Sequence, residues 1–192
     1  MSRPRSFFMR WRVRLAYPLA LVFWLLAVPT VRSIVIGAIV VAFGLFIRGV
    51  AAGHLRKDQE LATTGPYART RNPLYLGSAF LAAGFAVAGR SWLAGAPVAV
   101  SFAIFYYAVM RNEEEDLRAR FGAVYSQYAA RVPLLLPFWV GSEFDARTGR
   151  ASDAKFSWSQ YRRNGEYRAL LGALGGIAAL GLRMWVRTRT GR

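Results

Sequence analysis

Cysteine is absent from the 192-residue chain, and histidine occurs once, at His54. Without cysteine the chain has no disulfides, no thiolate nucleophile and no cysteine-based metal site. A single histidine cannot build a zinc site alone, and at a helix end it is typical of a capping or interfacial residue. The sequence also has no glycine-rich phosphate loop and no cluster of metal ligands. We therefore expect neither ATP nor a metal as a cofactor.

Acidic residues are also scarce, because 10 Asp and Glu stand against 26 Lys and Arg, while 55% of the residues are hydrophobic. These two properties conflict in a water-soluble globule, but they fit a membrane protein in which basic loops separate apolar blocks. A positive charge balance can also indicate nucleic-acid binding. The arginines form no stripe along a soluble face, however, and we expect no nucleic-acid partner.

Four apolar runs are long enough to suggest membrane helices, at residues 15–31, 34–52, 74–88 and 92–110. A helix needs about 20 residues to cross the hydrocarbon core of a bilayer, or fewer where its ends are embedded in protein. The apolar segment 169–186, which Arg183 interrupts, is favoured as a fifth span. The predicted fold is an all-α polytopic integral membrane protein, a single membrane domain over residues 1–192, with four to five transmembrane helices and a cytoplasmic helix.

Basic residues predict the orientation of these helices. They concentrate in the N-terminal tail, in the loop 53–73 and in the region 111–168, whereas the turns at Arg32 and Arg90 carry one each. The positive-inside rule therefore places the N-terminus and both basic regions in the cytoplasm. The short connections at 32–33 and 89–91 predict tight antiparallel hairpins. The arginine-rich, cysteine-free composition is typical of a bacterial protein, which indicates the inner membrane.

A first polar block, "TTGPYARTRNPLYLG" at residues 63–77, lies where the third apolar run begins. Gly65 and Pro66 are typical of a turn. Asn72 is a good N-cap, and Pro73 suits the first position of a helix. Anchoring of the arginines and tyrosines at the membrane interface would account for this block if it stood alone.

A second block, "RNEEEDLRARFGAVYSQYAARVPLLLPFW" at residues 111–139, follows the fourth apolar run. Ionised carboxylates at the end of a membrane span are costly unless they are paired. We expect Arg71 and Glu113 each to need a charged partner, with Glu114 as the second choice. Both blocks lie on the predicted cytoplasmic side, where they form a plausible site for an amphiphile with a polar head. Helical spacing places five residues of this block on one face: Glu113, Leu117, Phe121, Tyr125 and Tyr128.

The two blocks together resemble the isoprenylcysteine carboxyl methyltransferase family and the related phospholipid methyltransferases. The resemblance covers about residues 60–140, which we expect to form the catalytic core. The chain departs from the family pattern at Asn72, where the family usually has histidine. It matches the pattern at Gly65, Tyr67, Arg71, Pro73, Tyr75, Gly77, Glu113, Glu114, Leu117, Phe121, Gly122, Tyr125, Tyr128, Val132 and Pro133.

The resemblance implies a membrane-embedded enzyme that transfers a methyl group from S-adenosylmethionine to a lipophilic acceptor at the cytoplasmic membrane surface. The residue types suit this chemistry, because arginine can hold a carboxylate and glutamate can offset the cationic cofactor. The acceptor can be a carboxylate or an amine, and the residues do not decide between them. The expected catalytic residues are Arg71, Glu113 and Glu114, and the expected cofactor-binding residues are Tyr67, Asn72, Pro73, Tyr75, Gly77, Tyr125 and Tyr128.

Two other functions remain open on the sequence. Membrane sterol and steroid reductases, which use NADPH, carry a similar pair of blocks, although "EEEDLRARFG" is nearer the methyltransferase form. A non-catalytic membrane assembly or binding protein of the same fold is the second alternative, favoured by the departure at Asn72. The segment 141–168 mixes aromatic and basic residues and is interpreted as an interfacial cytoplasmic segment. The oligomeric state is left open.

Overall fold

The structure, a computed structural model, describes residues 17–56, 60–137 and 155–190. Its regular elements are all helices, with no strand in the described ranges, which confirms the all-α prediction. The predicted basic N-terminal tail and residues 141–154 of the interfacial segment lie outside these ranges. The elements are α1 (Tyr17–Leu26), α2 (Val31–His54), a 3₁₀ turn (Gly65–Ala68), α3 (Pro73–Gly89), α4 (Trp92–Arg131), α5 (Trp158–Arg163) and α6 (Tyr167–Thr190).

Two of these helices, α2 and α6, are long and apolar enough to cross a membrane, with 24 residues each and mean hydropathies of 2.4 and 1.7. The helices α1 and α3 are apolar but shorter. Large apolar side chains such as Ile39 and Phe46 are about two-thirds exposed, at 65% and 66%. Exposed apolar surface of this kind is suited to lipid rather than water. The count of four to five spans stays a prediction.

The first helix is shorter than the sequence predicted. The apolar run 15–31 is helical only over Tyr17–Leu26 in the described part of the chain, and residues 27–30 form the connection to α2. Thr30 caps α2, because its hydroxyl accepts from the Ser33 N–H and the Ser33 hydroxyl accepts from the Thr30 N–H. This reciprocal capping box starts the helix before Arg32. The predicted turn at 32–33 was therefore wrong.

The helices α2 and α3 pack backbone against backbone through two pairs of glycines. A Cβ built on Gly44 would lie 2.7 Å from the carbonyl oxygen of Gly77, and one built on Gly84 would lie 2.7 Å from that of Gly37. The two pairs are seven residues apart in each helix, so one antiparallel seam runs between them. Small residues at such a seam let two helices approach closely within a membrane.

The fourth helix continues well beyond its apolar part. The apolar run 92–110 continues directly into the predicted cytoplasmic helix, and the two are described together as α4, which a kink at Gly122 divides into two helical parts. Its regular geometry breaks at Gly122, whose φ of 54° and ψ of −124° are not helical. Glycine tolerates such a backbone because it has no Cβ. The break redirects the last part of α4, which carries Tyr125 and Tyr128.

The last helix is fastened to the rest of the chain at its start and in its second half. Just before α6, Glu166 pairs with Arg48 of α2, and the Arg48 Nη2–Glu166 Oε2 distance is 3.1 Å. Further along, the indole Nε1 of Trp24 donates to the Ala179 carbonyl at 2.7 Å, and the Arg183 guanidinium lies over the Trp24 ring. The helix extends over a longer range than the predicted 169–186.

Candidate active site

The two sequence blocks are joined by main-chain carbonyls of the loop that follows α4. Asn72 occupies the N-cap position of α3, as predicted, but its side chain makes no capping hydrogen bond. The amide group reaches across to the other block instead, so its predicted capping role was wrong. The hydrogen bonds to these carbonyls include Arg71 N–H to Pro133 O at 2.9 Å, Asn72 Nδ2 to Leu134 O at 2.9 Å, and Thr70 Oγ1 to Leu135 O at 2.8 Å.

A buried carboxylate lies at the centre of the site. Glu114, whose side chain is 5% exposed, forms an ion pair with Arg71, whose side chain is 13% exposed. Arg111 donates to the same carboxylate at 2.6 Å, and Arg118 lies 4.0 Å from it. The prediction that Glu113, before Glu114, is the carboxylate with a charged partner was wrong, because the buried face of α4 carries Glu114. Helical steps of three and four connect either glutamate to the tyrosines beyond the break, so burial and not spacing distinguishes Glu114 from Glu113.

Glu113 has a different environment from its neighbour. It is exposed, and its carboxylate accepts a hydrogen bond from the Tyr75 hydroxyl at 2.7 Å. The Tyr75 ring in turn contacts the edge of Tyr106, with 5.1 Å between the ring centroids. Glu113 therefore presents a carboxylate toward open space, whereas Glu114 is enclosed by arginines.

Three tyrosines form the inner wall of the site. The Tyr128 hydroxyl donates to the carbonyl oxygen of Tyr67 at 2.6 Å, and both side chains are buried. Burial raises the pKa of Tyr67 and of Tyr128 well above the ordinary tyrosine value. Burial also raises the pKa of Tyr125, against a hydrogen bond with Arg71 that lowers it. All three hydroxyls are protonated near neutral pH, so they act as hydrogen-bond donors rather than as bases.

The Arg71 side chain has one donor that the described residues leave unused. Its Nε is buried and has no hydrogen-bond partner among them. A buried N–H group without a partner costs free energy, because it has given up its water. The Nε–H of Arg71 is therefore the donor that an acceptor atom from outside the described residues, such as a carboxylate oxygen, would satisfy.

A cavity of about 1630 Å³ opens onto these groups and continues between the helices. Every predicted site residue lines it except Gly77. Gly77 lies in the glycine seam with α2 and is not among the lining residues, so its contact with a cofactor stays a prediction. The predicted residues that do line the cavity are Arg71, Glu113, Glu114, Tyr67, Asn72, Pro73, Tyr75, Tyr125 and Tyr128.

Several cavity residues were missed by the sequence interpretation. Arg48 lines the cavity and donates to the Leu74 carbonyl at 3.2 Å, besides pairing with Glu166 and bonding to the Ser78 hydroxyl. The sequence held one signal for Arg48, because a charged residue inside an apolar run needs a partner and therefore indicates a buried polar site. Glu60, Asp116 and Arg120 also line the cavity, and no pattern in the sequence distinguishes them from surface charges.

Comparison with known proteins shows that the central part of the chain is similar to a known family. Residues 38–124 match the phospholipid methyltransferase family. A stretch of 82 residues is 38% identical to the nickel-cobalt-cadmium resistance protein NccN of Alcaligenes xylosoxydans xylosoxydans and 35% identical to the cobalt-zinc-cadmium resistance protein CzcN of Cupriavidus metallidurans. Over 147 residues, the chain is 29% identical to the human protein-S-isoprenylcysteine O-methyltransferase. No solved structure matches the chain significantly.

These similarities cover only part of each protein. The matches to the two resistance proteins include 43% of this chain and 38% of each relative. The match to the human methyltransferase includes 68% of this chain and 50% of the relative. All three therefore leave half or more of the relative unmatched. Residues 38–124 thus match the phospholipid methyltransferase family, which confirms the resemblance drawn from the two sequence blocks.

Proposed function

We propose that the chain is a methyltransferase that uses S-adenosylmethionine and acts on a lipophilic acceptor at the polar end of the cavity. The observation that carries the proposal is the buried Arg71, whose Nε has no partner among the described residues. It lies beside an accessible carboxylate, Glu113, at one end of a largely apolar cavity. The family match supports the same reaction class.

The side chains at the polar end fit the cofactor's functional groups. Arg71 would bind the cofactor's carboxylate through its unused Nε–H, because Glu114 already occupies the other side of the guanidinium. Glu113 would bind the ammonium group or offset the sulfonium charge. The rings of Tyr67 and Tyr75 would lie against the adenine or the cation. Asn72 would contribute hydrogen bonds where family members usually have histidine.

S-adenosylmethionine supplies a methyl group on a sulfonium, and displacement by a nucleophile leaves the electron pair of the broken bond on sulfur. The protein's contribution to such a reaction is mainly to align the acceptor with the methyl carbon and to exclude water. A carboxylate acceptor is already ionised at neutral pH and needs no base. An amine acceptor must lose a proton, which Glu113 would accept because it is the exposed carboxylate of the site.

We further propose that the site faces the cytoplasm and that residues 60–140 form the catalytic core of a single membrane domain. The distribution of basic residues supports this orientation. Reporter fusions at residues 60 and 90 are expected to lie on opposite sides of the bacterial inner membrane, with residue 60 inside. The same side for both fusions would contradict the orientation.

The names of the two resistance proteins refer to metals, which raises the question of a metal site in this chain. The described ranges contain no group of three or more His, Cys, Asp or Glu side chains placed to hold a metal ion. We therefore propose that the similarity to these proteins reflects a shared methyltransferase domain and not a shared metal site.

The proposal is tested on the purified full chain in detergent. S-adenosylmethionine is expected to bind with about micromolar affinity, roughly 8 kcal/mol, and to raise the melting temperature. Labelled methyl groups are then expected to appear in a product when extracted bacterial lipids are added, and mass spectrometry identifies the acceptor. A thermal shift with NADPH and none with S-adenosylmethionine would favour a reductase and contradict the proposal.

A further inference from the structure

The cavity is larger than the polar site at its end requires. Its volume of about 1630 Å³ exceeds the range of about 300–1,000 Å³ that is typical of a pocket for one small molecule. The charged groups that line it gather around Arg71 and Glu113, whereas the rest of the wall is apolar. Examples from that apolar wall are Phe23, Phe85 and Leu180. The apolar part has room for a hydrocarbon chain beside a cofactor at the polar end.

Two glycines of α6 form part of this apolar wall, one turn apart. A Cβ built on Gly172 would meet no atom within 4 Å, so the adjoining space is open. At Gly176 the ring of Phe85 lies 2.7 Å from the position of such a Cβ. Phe85 narrows the cavity at this level, where it packs against a buried cluster formed by Ala27, Ala88 and Leu180, and the lining continues past this constriction to Leu180.

The position of the glycines along α6 sets their distance from the polar end. Glu166 marks that end, since its carboxylate pairs with Arg48 next to the site. With a rise of about 1.5 Å per residue, Gly172 lies about 9 Å and Gly176 about 15 Å further along the helix. A hydrocarbon chain that starts at the polar end therefore passes Gly172 before it reaches Phe85.

We infer that Gly172 and Phe85 set the length of the chain that the cavity accepts, and that the occupant is a single hydrocarbon chain with a carboxylate or amine head. The open space beside Gly172 accommodates the chain, and the Phe85 ring limits how far it extends. This inference rests on the proposed function for the role of the head group. It assigns acceptor selectivity to α6, which lies outside the matched residues 38–124.

The test uses n-alkyl carboxylates and n-alkylamines from octyl to octadecyl, added to the full chain without S-adenosylmethionine. Native mass spectrometry measures how much of each probe is bound. Gly172→Leu is expected to shorten the alkyl chain that the cavity prefers and to weaken octadecyl binding at least tenfold. Phe85→Ala is expected to lengthen the preferred chain, and Phe85→Leu provides a milder substitution if the alanine variant does not fold.

The matched control is Gly175→Leu. Gly175 lies on the same helix, has nothing within 4 Å of a built Cβ and is not among the cavity-lining residues. This variant is expected to keep the wild-type chain preference. The same preferred length in wild type, Gly172→Leu and both Phe85 variants would overturn the inference, and so would binding of no probe to the wild type.

Methyl transfer from labelled S-adenosylmethionine to the same probes is measured separately. A chain-length shift in the binding assay without any methyl transfer would support the inference while contradicting the proposed function. Methyl transfer by Gly172→Leu with an unchanged chain-length profile would support the proposed function and overturn the inference.

Discussion

The Arg71 guanidinium and the Glu114 carboxylate form a buried ion pair, although the two residues are 43 positions apart in the sequence. Arg71 lies just before α3 and Glu114 lies on α4, so the pair fixes the start of one helix against the middle of the other. Its enclosed position separates Glu114 from the adjacent Glu113, which is exposed. The two glutamates are therefore expected to have different roles.

Replacement of Glu114 is expected to affect stability more than chemistry. Glu114→Ala leaves the buried Arg71 without its counter-charge, and we expect the free energy of unfolding to fall by about 3–5 kcal/mol. Glu113→Gln, as the matched variant, is expected to change stability by less than about 0.5 kcal/mol and to weaken S-adenosylmethionine binding about tenfold, or 1.4 kcal/mol. Thermal melting and calorimetry on both variants measure these effects. Equal melting temperatures for the two would contradict the assignment.

The backbone at Gly122 predicts a second effect. Its φ of 54° and ψ of −124° are rarely accessible to other residues, yet no atom lies within 4 Å of a built Cβ. Gly122→Ala is therefore expected to lower stability through backbone strain alone, by about 1–3 kcal/mol, and to displace Tyr125 and Tyr128. Gly175→Ala, in regular helix with open space, is expected to be neutral or stabilising by up to about 1 kcal/mol. Melting temperatures that fall equally in both variants would contradict this account.

The buried tyrosines predict a dependence of stability on alkaline pH. Burial raises the pKa of Tyr67 and Tyr128 in the folded chain, so the folded chain binds these two protons more tightly than the unfolded chain does. The resulting stabilisation is complete below about pH 10 and is lost above it, at about 1.4 kcal/mol per pH unit for each hydroxyl.

Tyr128→Phe removes one of these hydroxyls. It is expected to lower stability at neutral pH by about 1–2 kcal/mol, because the Tyr67 carbonyl loses its donor. Above about pH 10 its stability should also fall less steeply than that of the wild type. Melting temperature recorded against pH measures both effects, with Tyr107→Phe at a 58% exposed position as the control. Parallel alkaline slopes for wild type and Tyr128→Phe would contradict the prediction.

Substitutions at Asn72 test whether cofactor binding tolerates the departure from the family pattern. Its amide donates to the Leu134 carbonyl at 2.9 Å, and a histidine ring nitrogen can serve as the same kind of donor. Asn72→His is therefore expected to bind S-adenosylmethionine as well as the wild type or better. Asn72→Ala is expected to bind it about tenfold more weakly, by 1.4 kcal/mol, because one of the hydrogen bonds between the two blocks is lost. Weaker binding by Asn72→His than by Asn72→Ala would contradict this expectation.

Much of the helical arrangement follows from apolar runs and a few local signals. Pro73 begins α3 as predicted, and the predicted fifth apolar segment is helical over Tyr167–Thr190. The start of α2 was predicted three residues late, because the capping box of Thr30 and Ser33 is a local hydrogen-bond pattern that hydropathy does not register. The same limit applies to α1, which ends before the apolar run does.

The residue types of the site could be predicted from the sequence, but which glutamate pairs with Arg71 could not. Spacing alone could not decide between Glu113 and Glu114, because the non-helical backbone at Gly122 changes which face of α4 the later tyrosines share. Spacing also could not decide the role of Gly77. A glycine in a motif can contact a ligand or a neighbouring helix, and the structure shows that Gly77 packs in the seam between α2 and α3.

The attachment of α6 at two points has a consequence for how a ligand reaches the site. Arg48 and Glu166 hold the helix near the site, and the indole of Trp24 holds it at Ala179. A helix fixed at two points cannot swing outward without breaking an ion pair and a hydrogen bond together. Opening of the cavity is therefore expected to involve displacement of the apolar part of α4, which lines the opposite wall. The lateral path for a lipid would then lie on the α4 side of the bundle, with α6 as the stationary wall.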